Sequence, residues 1–106
     1  MLAIAYQTPL IAQPIKLPNK IIDIYVKRNI DSINKFGITI DRIKSNITSH
    51  YVDIYNDKKM DWVIYYESLN CGSSGCTGEI YIFDPKTKKW FYEGKIYQNE
   101  LRELLD

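Results

Sequence analysis

Residues 51–96 decide the fold: Tyr51-Val-Asp-Ile-Tyr-Asn-Asp-Lys-Lys-Met-Asp61, Trp62-Val-Ile-Tyr-Tyr66, Cys71-Gly-Ser-Ser-Gly-Cys76, Glu79-Ile-Tyr-Ile-Phe83 and Trp90-Phe-Tyr-Glu-Gly-Lys-Ile96. Aromatic and β-branched side chains dominate these runs, as pleated strands prefer. A polar turn, Asn56-Asp57-Lys58-Lys59, precedes the Trp62 run. Asp84-Pro85-Lys86-Thr87-Lys88 separates the last two runs, with Pro85 suited to the first corner of a type I turn. Strand follows strand with little spare sequence, which predicts a β-meander.

Strand alternation sorts the side chains. Trp62, Ile64 and Tyr66 fall on one side of their strand, Val63 and Tyr65 on the other. Tyr81 and Phe83 alternate with Ile80 and Ile82, and Trp90 and Tyr92 alternate with Phe91. Both faces of the sheet are apolar enough to need cover. One long helix covers only one of them. Either the terminal segments cover the other, or an aromatic surface stays exposed, with Trp62, Tyr66, Tyr81, Trp90 and Tyr92 as candidate binding residues.

Outward from this sheet, Ile22, Val26, Ile30 and Ile33 recur at helical spacing after the N-cap candidate Asn19, and Gly37 suits a left-handed C-terminal cap. A helix over about 20–35 is predicted. Ile38 to Ser45 reads as a short strand or irregular connection, although Ile40, Ile43 and Ile47 also fit a helical turn. Leu101, Leu104 and Leu105 predict a short C-terminal helix. The expected architecture is α+β: an N-terminal helix packed on an antiparallel β-meander of about four strands, with a short C-terminal helix. Residues 19–106 form one domain. Residues 1–18 read as an extended arm with Pro9, Pro14 and Pro18, or as the remnant of a signal peptide, although Lys16 is the first charge.

A chain of 106 residues fits one domain that buries about two-thirds of its unfolded surface. The net charge of +1 favours neither nucleic acid nor an anionic membrane as partner, and no apolar run reaches membrane-spanning length. Lys86, Lys88, Lys89 and Lys95 interleave with Trp90 and Tyr92, a pattern that can bind single strands, but their place beside a turn reads as a solvated hairpin end. The nine tyrosines suit half-buried sheet faces and binding surfaces alike.

Two constellations carry chemistry. Asp53, Asp57 and Asp61 are spaced four apart across a turn, and hard cations such as calcium need several oxygens converging on one point. Together with the Cys-Gly-x-x-Gly-Cys segment, this stretch resembles a pattern in small exported bacterial proteins of unassigned function. That pattern is an Asp-x-Asn-x-Asp-Gly-x-x-Asp loop followed by Cys-Gly-x-Gly-Gly-Cys. The loop is similar to those of FG-GAP/VCBS-type calcium-binding repeats, and the resemblance covers residues of about 51–84. It implies calcium ligation by Asp53, Asp57 and Asp61. Tyr55 stands where the pattern has Asn, and Lys58 where it has Gly. The first departure removes an oxygen and the second adds a cation at a sharp turn. The loop therefore reads as a calcium site that has lost its ion, its carboxylates capping the turn by accepting backbone N–H bonds. No other cofactor is implied.

Cys71 and Cys76 are the only cysteines, and Gly72 and Gly75 allow a tight turn between them. A structural disulfide is the expected state. Free thiols and a redox or metal role are the alternatives, although the spacing is not Cys-x-x-Cys and His50 alone cannot complete a four-ligand zinc site. His50, the only histidine, has Ser45, Ser49, Ser73 and Ser74 as conceivable nucleophiles, but no Gly-x-Ser-x-Gly elbow occurs. The residues thus point to a small extracytoplasmic, periplasmic or secreted module that binds another protein without catalysis. A calcium-dependent structural or adhesive domain and a small hydrolase are the alternatives.

Overall fold

The computed structural model describes residues 15–105. The apolar opening read above as an arm or signal-peptide remnant lies outside them up to residue 14. The order is α1 (Asn19–Arg28), α2 (Ile30–Phe36), α3 (Ile40–Asn46), β1 (Thr48–Val52), β2 (Asp61–Tyr65), α4 (Glu67–Asn70), β3 (Cys71–Gly72), β4 (Gly75–Asp84), β5 (Lys89–Tyr97) and α5 (Gln98–Leu105). Helices plus one antiparallel five-stranded sheet make an α+β fold, as the sequence predicts.

β1 pairs β2, β2 pairs β4, and β4 pairs both the two-residue β3 and the long β5. The ladders have unequal lengths, and this shapes the surface. The β2–β4 ladder stops at Trp62 opposite Tyr81, whereas the β4–β5 ladder continues to Asp84 opposite Lys89. The β4–β5 hairpin therefore projects beyond the start of β2. Its turn is held by Asp84, whose carboxylate accepts the Lys86 N–H at 2.9 Å and the Thr87 hydroxyl at 3.0 Å.

The two sheet faces carry separate cores. Ile21, Tyr25, Ile33 and Ile43 from α1–α3 cover Trp62, Ile64, Tyr66 and Tyr81 on one face. Leu101 of α5 covers Val63, Ile80 and Ile96 on the other, with Val52 beside them. Both faces are covered at the middle of the sheet, the second by the C-terminal helix, while Phe83 and Phe91 stay exposed toward the hairpin end. The N-terminal helical face does this in three segments rather than one. At Asn29 the backbone leaves helical geometry, with φ −106° and ψ 16°. Gly37 closes α2 in the left-handed conformation.

Residues 38–45 depart from the expected strand or connection. They form most of α3, where Thr39 Oγ1 accepts the Arg42 N–H at 3.2 Å and Ile43 is fully buried. A capped helical turn that delivers Ile43 to the core outweighs the β preference of Ile and Thr. The C-terminal helix forms, but only Leu101 of its three leucines is buried; Leu104 and Leu105 are exposed.

Candidate functional site

Two carboxylates lie inside this small protein, and they differ in how their oxygens are used. Glu79 is 1% exposed, in β4. Its Oε1 accepts from Arg28 Nε at 3.1 Å and from the Tyr81 hydroxyl at 2.9 Å. Its Oε2 accepts from Asn29 Nδ2 at 3.2 Å and Asn70 Nδ2 at 3.3 Å. The Arg28 guanidinium also lies over the Tyr92 ring, 3.2 Å from its centroid. Behind Asn70, the Tyr25 hydroxyl donates to Asn70 Oδ1, while the Tyr66 N–H donates to both Tyr25 Oη and Asn70 Oδ1. Burial, and then the negative charge of Glu79, push the Tyr25 and Tyr81 hydroxyls above the ordinary tyrosine range, so both remain donors. Burial alone would lower Arg28; its hydrogen bond to Glu79 and the charge of Glu79 outweigh this and raise it. Every acceptor site of Glu79 is occupied, so this cluster ties α1 and α4 to the sheet and has no valence left for a ligand. Sequence reasoning missed it. The available signal was Glu79 itself, in register with Tyr81 and Phe83 on an apolar side.

Asp61 opens β2 and is 5% exposed. Its Oδ2 is buried and has no hydrogen-bond partner among the described residues. Burial raises its pKa; the Ile54 backbone N–H opposes this, and Asp57, Asp53 and Glu93 add to it by charge repulsion. Asp61 borders a cleft of about 570 Å³ between the 53–60 turn and the projecting β4–β5 hairpin. Tyr51, Tyr55, Phe83 and Trp90 supply its aromatic walls, and Asp57, Lys59 and Glu93 its other charges. Glu93 reaches this cleft because it is the extra residue of a β-bulge: Ile80 faces Gly94 and Tyr81 faces Tyr92, which leaves Glu93 unpaired. Tyr55 is raised by burial, then by Glu93, Asp61 and Asp57.

The turn itself is organised by Asp53. Its Oδ1 accepts the Asp57 N–H at 3.1 Å and its Oδ2 accepts the Lys58 N–H at 2.8 Å. Asp57 Oδ1 accepts the Lys59 N–H at 2.9 Å. Slight desolvation would raise Asp53, but these N–H donors outweigh it and hold the carboxyl below its usual range. Lys58, standing where the resembled loop has Gly, adopts φ 68°. Asp53, Asp57 and Asp61 do not share one point: among the described residues no three His, Cys, Asp or Glu side chains are grouped to hold a metal ion.

Of the candidate surface rings, Trp62, Tyr66 and Tyr81 belong to the core under α1–α3. The exposed-face assignment is corrected for these three, because Tyr25, Ile33 and Ile43 occupy the space a partner would need. Trp90 is half-buried and lines the cleft, and Tyr92 is half-buried beneath Arg28. Among the described residues the exposed rings are Phe36, Tyr55, Phe83, Phe91 and Tyr97 instead. Cys71 and Cys76 face each other in the β3–β4 ladder and are joined by a disulfide. A second cleft, about 690 Å³ and mostly polar, adjoins it between Arg42, Asn46, Glu67 and Ser68. His50 is half-buried in β1 beside Tyr65 and α5, and none of Ser45, Ser49, Ser73 or Ser74 lines its shallow hollow. No helix among the described residues is long and apolar enough to cross a membrane. Compared with known proteins, the chain matches no family model, no curated protein and no solved structure.

Proposed function

We propose that this protein is a small extracytoplasmic, non-catalytic binding module, of the inhibitor, immunity or envelope accessory kind, that meets another protein through the aromatic cleft. The observation that carries this is the placement of exposed rings around one cleft. Tyr55 is 50% exposed and Phe83 43% exposed, on opposite walls of a concave site, while the Trp62 and Tyr81 rings are spent on the core. Aromatic side chains at a cleft bury much area on contact, and Tyr and Trp are enriched at the centres of protein interfaces. The Cys71–Cys76 disulfide supports an oxidising compartment.

The test is affinity capture from envelope and secreted extracts, with oxidised protein as bait and quantitative mass spectrometry as readout. A bait carrying Tyr55→Ser and Phe83→Ser runs in parallel, and its melting temperature is checked because Phe83, although exposed, packs on Trp90 with ring centroids 5.1 Å apart. The expected result is one protein enriched by the wild type and lost from the double variant. Identical captures by the two folded baits, or an empty capture by both, would overturn the proposal.

A further inference from the structure

We infer that the cleft beside Asp61 is a seat for a lysine side chain of the partner protein, its ammonium group hydrogen-bonded to Asp61 Oδ2. This rests on the binding-module reading and names the group that is recognised. The chemistry follows from three features. Asp57, Asp61 and Glu93 outnumber the single Lys59 around the cleft, so its field favours a cation. The walls are aromatic, and the faces of Tyr and Trp rings attract cations. Asp61 Oδ2 is buried with no donor among the described residues, and an ammonium would supply one.

Size and valence narrow the cation further. The carboxylates around the cleft are too dispersed to ligate one metal ion together, which suits an organic cation on an apolar arm. Asp61 has one unpartnered oxygen, and the Ile54 backbone N–H already acts on its carboxylate. A guanidinium makes its best bonds to two free oxygens, whereas an ammonium is a point donor. Asp61 lines the cleft while its Oδ2 is closed to solvent, so the ammonium must displace part of the lining, in which Tyr55 and Met60 are exposed, to reach it. The lysine's methylenes then lie along Phe83 and Trp90.

The test uses Nα-acetyl-lysine methylamide, titrated into the whole protein and followed by NMR at Tyr55, Met60 and the Trp90 indole. The expected result is saturable binding on the order of millimolar. The norleucine analogue, which keeps the arm and lacks the charge, should shift these signals little. Asp61→Asn should weaken binding about tenfold, and Glu93→Gln, at an exposed bulge, about threefold. A folded Asp61→Asn that binds the probe undiminished would overturn the inference at the atom it names, and Glu93→Gln tests the surrounding field independently. Equal response to norleucine, tighter binding of the arginine analogue, binding indifferent to Glu93→Gln in place of the predicted loss, or no shift at tens of millimolar would each overturn the inference. A captured partner without lysine-probe binding would sink this site and leave the module standing. Probe binding with an empty capture would do the reverse.

Discussion

Glu79 and Asp61 sit on neighbouring strands of one sheet, both more than nine-tenths buried, yet their surroundings are opposite. Glu79 has four side-chain donors, drawn from α1, from Asn29 where the helices break, from α4 and from its own strand. Asp61 has an oxygen with none among the described residues. A buried carboxylate with every lone pair engaged holds a structure together. One left partly unserved costs stability, and such costs persist most readily where a ligand meets them. The difference separates scaffold from site in a protein where composition alone does not.

The largest expected effect breaks the scaffold side. Glu79→Ala should destabilise by about 3–5 kcal/mol, because it strands Arg28 and Asn70 without their acceptor. Urea unfolding measures this, and a loss below about 1 kcal/mol would place the cluster among ornamental surface pairs. Asp61→Asn should act in the opposite direction, stabilising by about 1 kcal/mol at neutral pH. The folded pKa of Asp61 is raised, so the folded state binds its proton more tightly than the unfolded chain does. Wild-type stability from this group is therefore highest when the carboxyl is protonated, and falls as pH rises through the raised value. The advantage of the variant should vanish below the ordinary aspartate value of 3.8. A variant equally stabilised at every pH would contradict the assignment.

Asp53 gives the smallest effect and the opposite pH sense. Its folded pKa is depressed by backbone N–H bonds, so its contribution is present above the ordinary value and is lost as pH falls through the folded one. Asp53→Ala should speed hydrogen exchange at the Asp57 and Lys58 amides while leaving the Glu79 neighbourhood protected. Protection unchanged at those two amides would mean that the turn stands without its cap.

The meander was legible because alternation survives in each run from Trp62 to Tyr92, and the Cys-Gly-x-x-Gly-Cys spacing admits a tight hairpin. α3 was not, since Ile38 to Ser45 satisfies both periods and the choice is made by Ile43 reaching a core formed elsewhere. The Glu79 cluster was hidden for a related reason: its partners Arg28 and Asn29 lie 51 and 50 residues away in sequence. Such a meeting is produced by the fold and has no local pattern. The aspartates were legible as a group, but whether a carboxylate turns toward backbone N–H groups or toward a cleft depends on loop geometry. The aromatic rings divided the same way: alternation sorts them by face, and only the packed helices determine which faces are interior.

The hairpin closed by Cys71 and Cys76 bears on how the chain is made. The two sulfurs are five residues apart, and the sequence contains no other cysteine. Within this sequence only one intramolecular pairing exists, and its halves are near neighbours in the chain. Maturation therefore calls for an oxidant and no reshuffling catalyst, and the bond can form before the helices dock. It would then hold the first residues of β4 in register while the rest of the chain is still arriving, a template for the strand that contacts every other strand of the sheet except β1.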